Sequence, residues 1–291
     1  MPDFIEENKV ITEQALSDFF KIDGNDDLRV LTDAMEYSTM LGGKRIRPCL
    51  AIEFCKACGG TVEQALPFAC AVEMVHTYSL IHDDLPCMDN DDMRRGKPSC
   101  HIKYGYANAL LAGDSLLTAS FGMIASNKYV NADAIREAVL CLSEGAGTFG
   151  MVGGQVMDLE YENKDVTAEK LMQINQLKTG CLLSSAAALG CIAAGADDVK
   201  KEAALKYAAF IGAAFQIVDD ILDISGDESK LGKPIGSDAE NGKHTYAAIL
   251  GIDAAKKKAR FFTDKAIEML EPFENKDNLI ILAEYLAARD H

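Results

Sequence analysis

The chain of 291 residues is 48% hydrophobic and carries a formal net charge of −16. This length and apolar content suffice for one domain with a large core, which we expect to span residues 1–291. The acidic balance excludes non-specific nucleic-acid binding, which requires a basic surface. The start of the chain is acidic and lacks the basic region of a secretory signal. The nine cysteines lack zinc-site spacing, so we interpret them as reduced residues of a cytoplasmic protein.

Helix-forming residues dominate from end to end, and alternating β-branched runs are missing. The longest uncharged stretch, Thr179–Ala196, is rich in Ala, Gly, Ser and Cys, which favours a tightly packed central helix over a membrane span. Without linkers or repeats, the pattern predicts a single all-α domain. The predicted helices cover residues 4–20, 27–40, 46–58, 62–85, 105–127, 132–149, 150–162, 168–194, 199–225, 244–251, 253–271 and 276–289.

The first chemically distinctive motif, DDLPCMD at residues 83–89, follows an apolar helix. On a continuous helix Asp83 and Asp89 would point in different directions. Pro86 interrupts the helix between them and predicts a bulge that returns Asp89 to the side of Asp83. Carboxylates at a helix C-terminus oppose the helix dipole unless cations compensate. The motif therefore predicts a cation site.

The second motif, DDILD at residues 219–223, also follows an apolar run. Asp219 and Asp223 share a helix face, and Gln216 lies three residues before Asp219 on the same side. We expect its amide to face the same pocket, although a core glutamine satisfied by backbone groups fits the pattern as well. Two facing acidic clusters predict Mg²⁺, because their ligands are all oxygen atoms and Mg²⁺ completes its shell with water and phosphate.

Basic residues suited to binding phosphate lie near both motifs. The stretch Gly42–Pro48 (GGKRIRP) places three cations after two glycines at a predicted helix start, which suits either diphosphate capture or a solvated basic turn. Arg94 and Arg95 follow the first motif and could each reach a phosphate. Charged, glycine-containing loops at 89–98 and 226–238 could close over a bound ligand. Further lysines, each interpretable alone as a surface residue, are Lys178, Lys233 and Lys243.

These motifs, in this order and spacing, resemble those of the trans-polyprenyl diphosphate synthases, most closely the bacterial farnesyl type. The matching stretches are residues 42–48, 73–101, 150–158, 178–190 and 215–238. The resemblance extends over essentially the whole chain. It implies an isoprenoid-synthase-type helical bundle around a central cavity, and a homodimer.

The resemblance also implies a role for individual residues. Three Mg²⁺ ions would be held by Asp83, Asp89 and Asp219, with Asp84, Asp220 and Asp223 acting through water or outer hydrogen bonds. The implied isopentenyl diphosphate site consists of Lys44, Arg47, His76 and Arg95. The implied allylic diphosphate site consists of Arg94, Lys178, Thr179, Gln216 and Lys233, with Lys243 as a weaker member. The implied catalytic residues are Lys178, Thr179 and Gln216.

The implied reaction is the Mg²⁺-dependent head-to-tail condensation of isopentenyl diphosphate with dimethylallyl or geranyl diphosphate. Product length depends on the wall beside the growing tail, and one helical turn rises about 5.4 Å, close to one isoprene unit. Ser79 and Tyr78 lie four and five positions before Asp83, and the bulky Tyr78 predicts a stop at C15, (2E,6E)-farnesyl diphosphate. A C20 geranylgeranyl product remains the alternative, as does Tyr78 as an ordinary core aromatic.

Two other functions share parts of this pattern. A class I terpene cyclase has the same fold but needs no isopentenyl site, and its second motif is not a full DDxxD. A non-catalytic subunit that modulates a longer-chain synthase usually lacks an aspartate motif or a basic anchor. Every motif is intact here, which favours the synthase. The main departure is His244, where the family more often has a small polar residue.

Overall fold

The computed structural model describes residues 1–21, 26–162, 164–225 and 245–288, and helices make up almost all of them. The helices are α1 (Asp3–Phe20), a 3-10 turn (Asp26–Leu28), α2 (Arg29–Thr39), α3 (Ile46–Ala57), α4 (Val62–Asp83), α5 (Cys100–Tyr104), α6 (Tyr106–Ala125), α7 (Ala132–Ala146), α8 (Met151–Tyr161), α9 (Ala168–Asn175), a π-helical segment (Gln176–Gly180), α10 (Cys181–Ala193), α11 (Asp198–Ser225), α12 (Tyr246–Leu250), α13 (Ile252–Glu268) and α14 (Asp277–Ala287). A short antiparallel hairpin pairs β1 (Met93–Arg94) with β2 (Lys97–Pro98). The predicted all-α fold is confirmed.

Helix α10 lies at the centre of the bundle and packs against α3, α4, α7 and α11. Almost all of its residues are buried, and most are Ala, Gly, Ser or Cys, which allow neighbouring backbones to approach closely. Gly190 shows how close: a methyl group there would collide with the carbonyl of Ala51 on α3. The predicted tightly packed central helix is therefore confirmed. No helix in the described ranges is long and apolar enough to cross a membrane.

Helix α4 is also buried on most of its circumference, which explains its lack of amphipathic patterning. It begins with a capping box formed by Thr61 and Gln64, and it packs against α3 and α6. Pro67 lies inside its second turn, not at its edge. The helix runs through the bundle and delivers Asp83 at its C-terminal end, so α4 is the element that fixes the first aspartate motif in space.

The largest difference from the predicted helices lies at residues 168–194. This stretch is not one α-helix but α9, a π-helical segment and α10. In the π-segment the Cys181 N–H donates to the carbonyl of Gln176, five residues back, so the turn holds one residue more than an α-turn. The widened turn carries Lys178 and Thr179, and π-turns of this kind are frequent at functional sites.

Two apolar clusters hold the bundle together. The larger joins helices from α1 to α14, and the smaller packs α11 against α9, α12 and α13. All nine cysteines are free thiols, and the Sγ atoms of Cys58 and Cys191 lie 3.7 Å apart.

Candidate active site

The first aspartate motif begins where α4 ends. After Asp83 the chain turns through Pro86, and the N–H of Asp89 donates to the carbonyl of Asp83 at 2.9 Å. The backbone thus folds back on itself as predicted, and it returns Asp89 beside Asp83. Asp84 points inward and is buried, whereas Asp89 is exposed.

Asp84 is paired with Arg94, which follows it after the turn and forms part of β1. The Arg94 guanidinium donates to both carboxylate oxygens of Asp84, and its Nη2 also lies 3.7 Å from Asp91. Burial raises the pKa of Asp84, and the bond from Arg94 offsets part of this shift. Burial alone would lower the pKa of Arg94, but the hydrogen bond to Asp84 acts in the opposite direction, and the pKa is raised. The ion pair with Asp84 therefore holds the Arg94 guanidinium beside the first aspartate motif.

Asp83 faces the opposite side, toward α8 and the π-segment. The amide of Gln155 donates to Asp83 Oδ1, and the Lys178 ammonium lies 3.9 Å from Asp83 Oδ2. Lys178 also binds Asp158 at 2.6 Å. A second cation is thus held against the aspartate motif by carboxylates on two different helices.

The position of Lys178 depends on close backbone packing between α8 and the π-segment. Gly154 lies directly against the backbone of Lys178, and a methyl group at Gly154 would collide with it. Since Gln155 is the next residue of α8, this one contact places both Gln155 and Lys178 relative to Asp83. The predicted candidate Thr179 lies next to Lys178, and its side chain is half-buried.

The second aspartate motif lies near the end of α11. Asp220 and Asp223 are buried, and Asp219 is half-buried. The Gln216 amide, which was expected to face the pocket of this motif, donates to Asp220 at 3.2 Å, since these residues are four apart on the helix. The backbone N–H of Tyr246 also donates to Asp220, at 2.7 Å. The loop at 226–238, Lys233, Lys243 and His244 lie outside the described residues.

The carboxylates of both motifs have the chemistry of Mg²⁺ ligands. They offer oxygen donors alone, and three of them, Asp84, Asp220 and Asp223, are buried. Within the described residues no three His, Cys, Asp or Glu side chains stand close enough to hold a metal by themselves. Mg²⁺ requires only one or two carboxylates where water and phosphate oxygens complete its shell. The donor set therefore fits Mg²⁺ that binds together with a diphosphate.

A cavity of about 280 Å³, here called the basic cavity, lies between α3, α4, α10 and α11. Its lining includes all four residues predicted to bind isopentenyl diphosphate: Lys44, Arg47, His76 and Arg95. The Arg95 guanidinium packs over Gly43 and donates to the carbonyl of Gly42, so the two glycines make room for it. The structure thus gathers residues from three separate parts of the sequence at one site.

Burial controls the charge of the groups in the basic cavity. Burial lowers the pKa of Arg47 to about 10, so this guanidinium stays protonated at neutral pH. Burial, with the charges of Arg47 and Arg95, lowers the pKa of His76 well below 6.5, so its imidazole is neutral. Among the described residues, the buried Nε of Arg47 has no hydrogen-bond partner. A buried donor without an acceptor is costly, and a bound anion would satisfy it.

A second cavity of about 370 Å³, here called the tail cavity, lies between α4, α8 and the π-segment. Asp83 and Lys178 supply its charged wall, and Tyr78 and Ser79 line it along α4. Tyr78 is 6% exposed, and its ring makes an edge-on contact with His82 at 5.7 Å between centroids. The remaining lining is mostly apolar and comes from Leu80, Met88, Met151, Val152, Val156 and Leu159.

The two cavities share a wall formed by Arg47, His76 and Thr179. These three residues border both cavities, so the protonated Arg47 adds to the charged lining that Asp83 and Lys178 give the tail cavity, whose other side chains are mostly apolar. Several predicted site residues lie in the described chain but line neither cavity: Asp89, Arg94, Asp219 and Gln216.

Arg45 is one of the three cations in Gly42–Pro48 that suited diphosphate capture, but it is buried and paired with Glu73 and Glu13. Three further residues of the site received no role from the sequence: Glu73, Gln155 and Asp158. Gln155 and Asp158 lie in the stretch 150–158, which resembles the family, and this position was the only indication in the sequence that they belong to the site. Glu73 opens the stretch 73–101 in the same way. Their partners could not be inferred, because each pairs with a side chain distant in sequence.

Known proteins resemble this chain in sequence and in fold. Residues 28–284 match the polyprenyl synthetase family. A geranylgeranyl diphosphate synthase of Cyanophora paradoxa is 47% identical over 89% of this chain and 87% of its own length. The farnesyl diphosphate synthase of Bacillus subtilis (strain 168) is 44% identical over 99% of this chain and 98% of its own. The crystal structure of geranylgeranyl pyrophosphate synthetase from Pyrococcus horikoshii superposes with a TM-score of 0.90 at 30% identity, covering 98% of this chain and 97% of that one. The chain therefore belongs to the polyprenyl synthetase family, whose prenyltransferases elongate prenyl chains head to tail.

Proposed function

We propose that this protein condenses isopentenyl diphosphate with dimethylallyl or geranyl diphosphate in a Mg²⁺-dependent reaction that yields farnesyl diphosphate (C15) and diphosphate. The observation that carries this proposal is the shared wall between the basic cavity and the tail cavity. Two diphosphate substrates bound on either side would meet at Arg47, His76 and Thr179. Holding two reactants in contact replaces a bimolecular encounter with a unimolecular step.

In this proposal the basic cavity binds isopentenyl diphosphate. Lys44, Arg47 and Arg95 bind its diphosphate, and the unpartnered Nε of Arg47 supports an anion at this place. The neutral imidazole of His76 donates one hydrogen bond and adds no charge. The apolar side chains of Leu183, Ile211 and Phe215 line the same cavity and leave the alkene in a dry environment.

The allylic diphosphate would bind on the aspartate side. Arg94 and Lys178, now paired with Asp84 and Asp158, are the proposed anchors, together with Lys233 and, more weakly, Lys243 in the sequence. We propose that Asp83, Asp89 and Asp219 hold three Mg²⁺ ions. Bound there, Mg²⁺ supplies Lewis-acid stabilisation of the negative charge on the departing diphosphate.

Thr179 and Gln216 are proposed to stabilise the allylic cation through their side-chain oxygens. Thr179 belongs to the shared wall, which supports this role, whereas the amide of Gln216 points its nitrogen toward Asp220 and so leaves its oxygen directed elsewhere. Proton loss after bond formation restores the alkene. The lowered pKa of His76 makes its imidazole a weak base, so we assign the proton to the released diphosphate.

Product length is assigned to Tyr78. Its buried ring lines the tail cavity more than one helical turn away from Asp83, which supports a stop after the third isoprene unit. A C20 product is the second candidate, because the 47% identical relative from Cyanophora paradoxa is a geranylgeranyl diphosphate synthase. The apolar α8 residues Val152 and Val156 would then accommodate the longer tail.

We also propose a homodimer. The stretch from α6 to α8 exposes large apolar side chains, including Leu111 (52%) on α6, Phe149 (89%) in the turn before α8 and Val156 (55%) on α8. Exposed apolar side chains mark an interaction surface where they form a contiguous patch. Phe149→Asp should shift the sedimentation coefficient from dimer to monomer, and Val199→Asp, at an exposed valine of α11, serves as the control. A wild-type protein that sediments as a monomer would contradict this proposal.

The function is tested by steady-state kinetics with the two substrates varied separately. Arg95→Gln should raise KM for isopentenyl diphosphate by about tenfold or more, because it removes a charged hydrogen bond to that substrate. Lys178→Gln should raise KM for dimethylallyl diphosphate instead. Lys97→Gln, at an exposed lysine of the neighbouring hairpin, should change neither.

The effects of the variants on the two KM values show whether the two substrates bind at separate sites. Separate effects support two substrate sites that meet at the shared wall. If both variants raised the same KM, the assignment of the two cavities would be wrong. Absence of condensation by the wild-type protein would favour the non-catalytic subunit.

A further inference from the structure

The basic cavity contains an acidic side chain that the proposed reaction does not use. Glu73 of α4 is the one acidic residue among those that line this cavity in the described chain. It is buried, and its Oε1 accepts a hydrogen bond from Nη1 of Arg45 at 2.7 Å. A buried carboxylate beside a phosphate site is costly for ligand binding, so its presence needs a physical reason.

One reason for the presence of Glu73 is its contact with Arg45, which lies between Lys44 and Arg47 in the sequence. The Arg45 backbone is left-handed, with φ of 50°, and it caps the N-terminus of α3. Its buried guanidinium is held by Glu73, by Glu13 at 3.0 Å and by the carbonyl of Thr39 at 2.6 Å. A non-glycine residue in this conformation persists only when surrounding contacts fix it. Glu73 therefore helps to aim the loop that carries the phosphate-binding cations.

The second reason for the presence of Glu73 is electrostatic. Burial lowers the pKa of both Arg47 and Arg95, and the charge of Glu73 acts in the opposite direction on each. Arg95 in turn lowers the pKa of Arg47, since the two cations repel each other. Arg45 and Arg94 add to the repulsion at Arg95. Without a bound diphosphate, the Glu73 carboxylate is thus the charge that offsets this repulsion among the cavity residues that the structure describes.

We propose that Glu73 is a positioning residue that sets how tightly the basic cavity binds a diphosphate. Its carboxylate takes the place of an anion in the empty cavity and keeps the cations assembled. Once a diphosphate binds, the same carboxylate repels it and limits its affinity. This inference rests on the proposed function, because it assumes that the basic cavity is the isopentenyl diphosphate site.

The test compares two buried glutamates on adjacent helices. Glu73→Gln keeps the shape and an oxygen that can accept from Arg45, but it removes the charge. Glu53→Gln is the matched control: Glu53 of α3 is equally buried and accepts from Asn8 at 2.7 Å, but it lines neither cavity. Each variant would be titrated calorimetrically with inorganic pyrophosphate in EDTA, so that no divalent metal contributes. The KM for isopentenyl diphosphate and the Tm would be measured in parallel.

Glu73→Gln should bind pyrophosphate about tenfold more tightly and show a similar fall in KM for isopentenyl diphosphate, without a rise in kcat. Its Tm in the absence of ligand should fall, because the cations then repel each other without compensation. Glu53→Gln should lower Tm and leave both binding constants unchanged within experimental error.

A folded Glu73→Gln variant with unchanged or weaker pyrophosphate binding would overturn the proposal and leave Glu73 a structural partner of Arg45. If Glu73→Gln does not fold, Glu13→Gln gives the same test at the more exposed carboxylate that also binds Arg45: the Kd should fall about twofold, and an unchanged Kd would count against the proposal. Failure of the proposed function is distinguishable, because the wild-type protein would then neither bind pyrophosphate in EDTA nor use isopentenyl diphosphate.

Discussion

The contact between Gly154 and Lys178 gives the most demanding prediction. A methyl group at Gly154 would lie 2.6 Å from the Cα of Lys178 and closer still to its backbone nitrogen. Both neighbours are backbone atoms and cannot rotate away as a side chain would. Gly154→Ala must therefore push α8 away from the π-segment, and with it Gln155 and Lys178 away from their common partner Asp83.

The energetic cost follows from two opposing effects. Overpacking of this kind costs about 1–3 kcal/mol, whereas alanine gains about 1 kcal/mol over glycine inside a helix. We expect a net loss of up to about 2 kcal/mol, and about 2–4 °C in Tm for each kcal/mol in a chain of this size. The effect on kcat should be larger, about tenfold to a hundredfold, because shifts near 1 Å disturb the alignment of reacting groups.

The assay measures Tm by calorimetry and kcat with saturating substrates and Mg²⁺. Gly122→Ala on α6 is the control, since a methyl group there would contact nothing within 4 Å. This control should gain up to about 1 kcal/mol and keep its activity. If Gly154→Ala were as stable and as active as Gly122→Ala, the contact between Gly154 and Lys178 would not position the site.

Other substitutions test the remaining parts of the site. Tyr78→Ala should lengthen the main product to C20 or beyond, whereas Phe68→Ala, a buried truncation elsewhere on α4, should lower stability alone; unchanged product length in Tyr78→Ala would exclude the proposed stop. Because the pKa of His76 lies well below 6.5 in the folded chain, unfolding takes up a proton in mildly acidic solution, so stability falls as pH drops below 6.5. His76→Gln should flatten that decline in Tm between about pH 5 and 7, and an identical decline would argue against a neutral imidazole. Asp83→Ala and Asp219→Ala should each lower kcat at least about a thousandfold, as should EDTA on the wild-type enzyme, and near-normal turnover would remove these residues from the proposed metal site.

Local patterns sufficed to predict much of the fold and part of the site. The return of Asp89 to Asp83 followed from Pro86 alone, because proline ends a helix in a known way. The small residues of Thr179–Ala196 predicted a central helix, since only such residues allow close approach on several sides. The convergence of Lys44 and His76 in one cavity followed from family resemblance and not from spacing.

What the sequence did not reveal depends on contacts between distant residues. The π-turn at Gln176–Gly180 has no periodic signature, because its extra residue is stabilised by packing against Gly154. The hydrogen bond from Gln216 to Asp220 was not predicted, because the spacing on the helix indicates the face on which the Gln216 amide lies and not its partner. Glu73 could not be assigned, because its significance lies in the arginines that surround it only in the folded chain.

A product assay tests the proposed synthase activity most directly. Purified protein would be incubated with Mg²⁺, isopentenyl diphosphate and dimethylallyl diphosphate, and the dephosphorylated products would be separated by chain length. We predict a dominant C15 alcohol. A dominant C20 alcohol would contradict the assignment of Tyr78 as the stop, and the absence of any condensation product would contradict the proposed synthase itself.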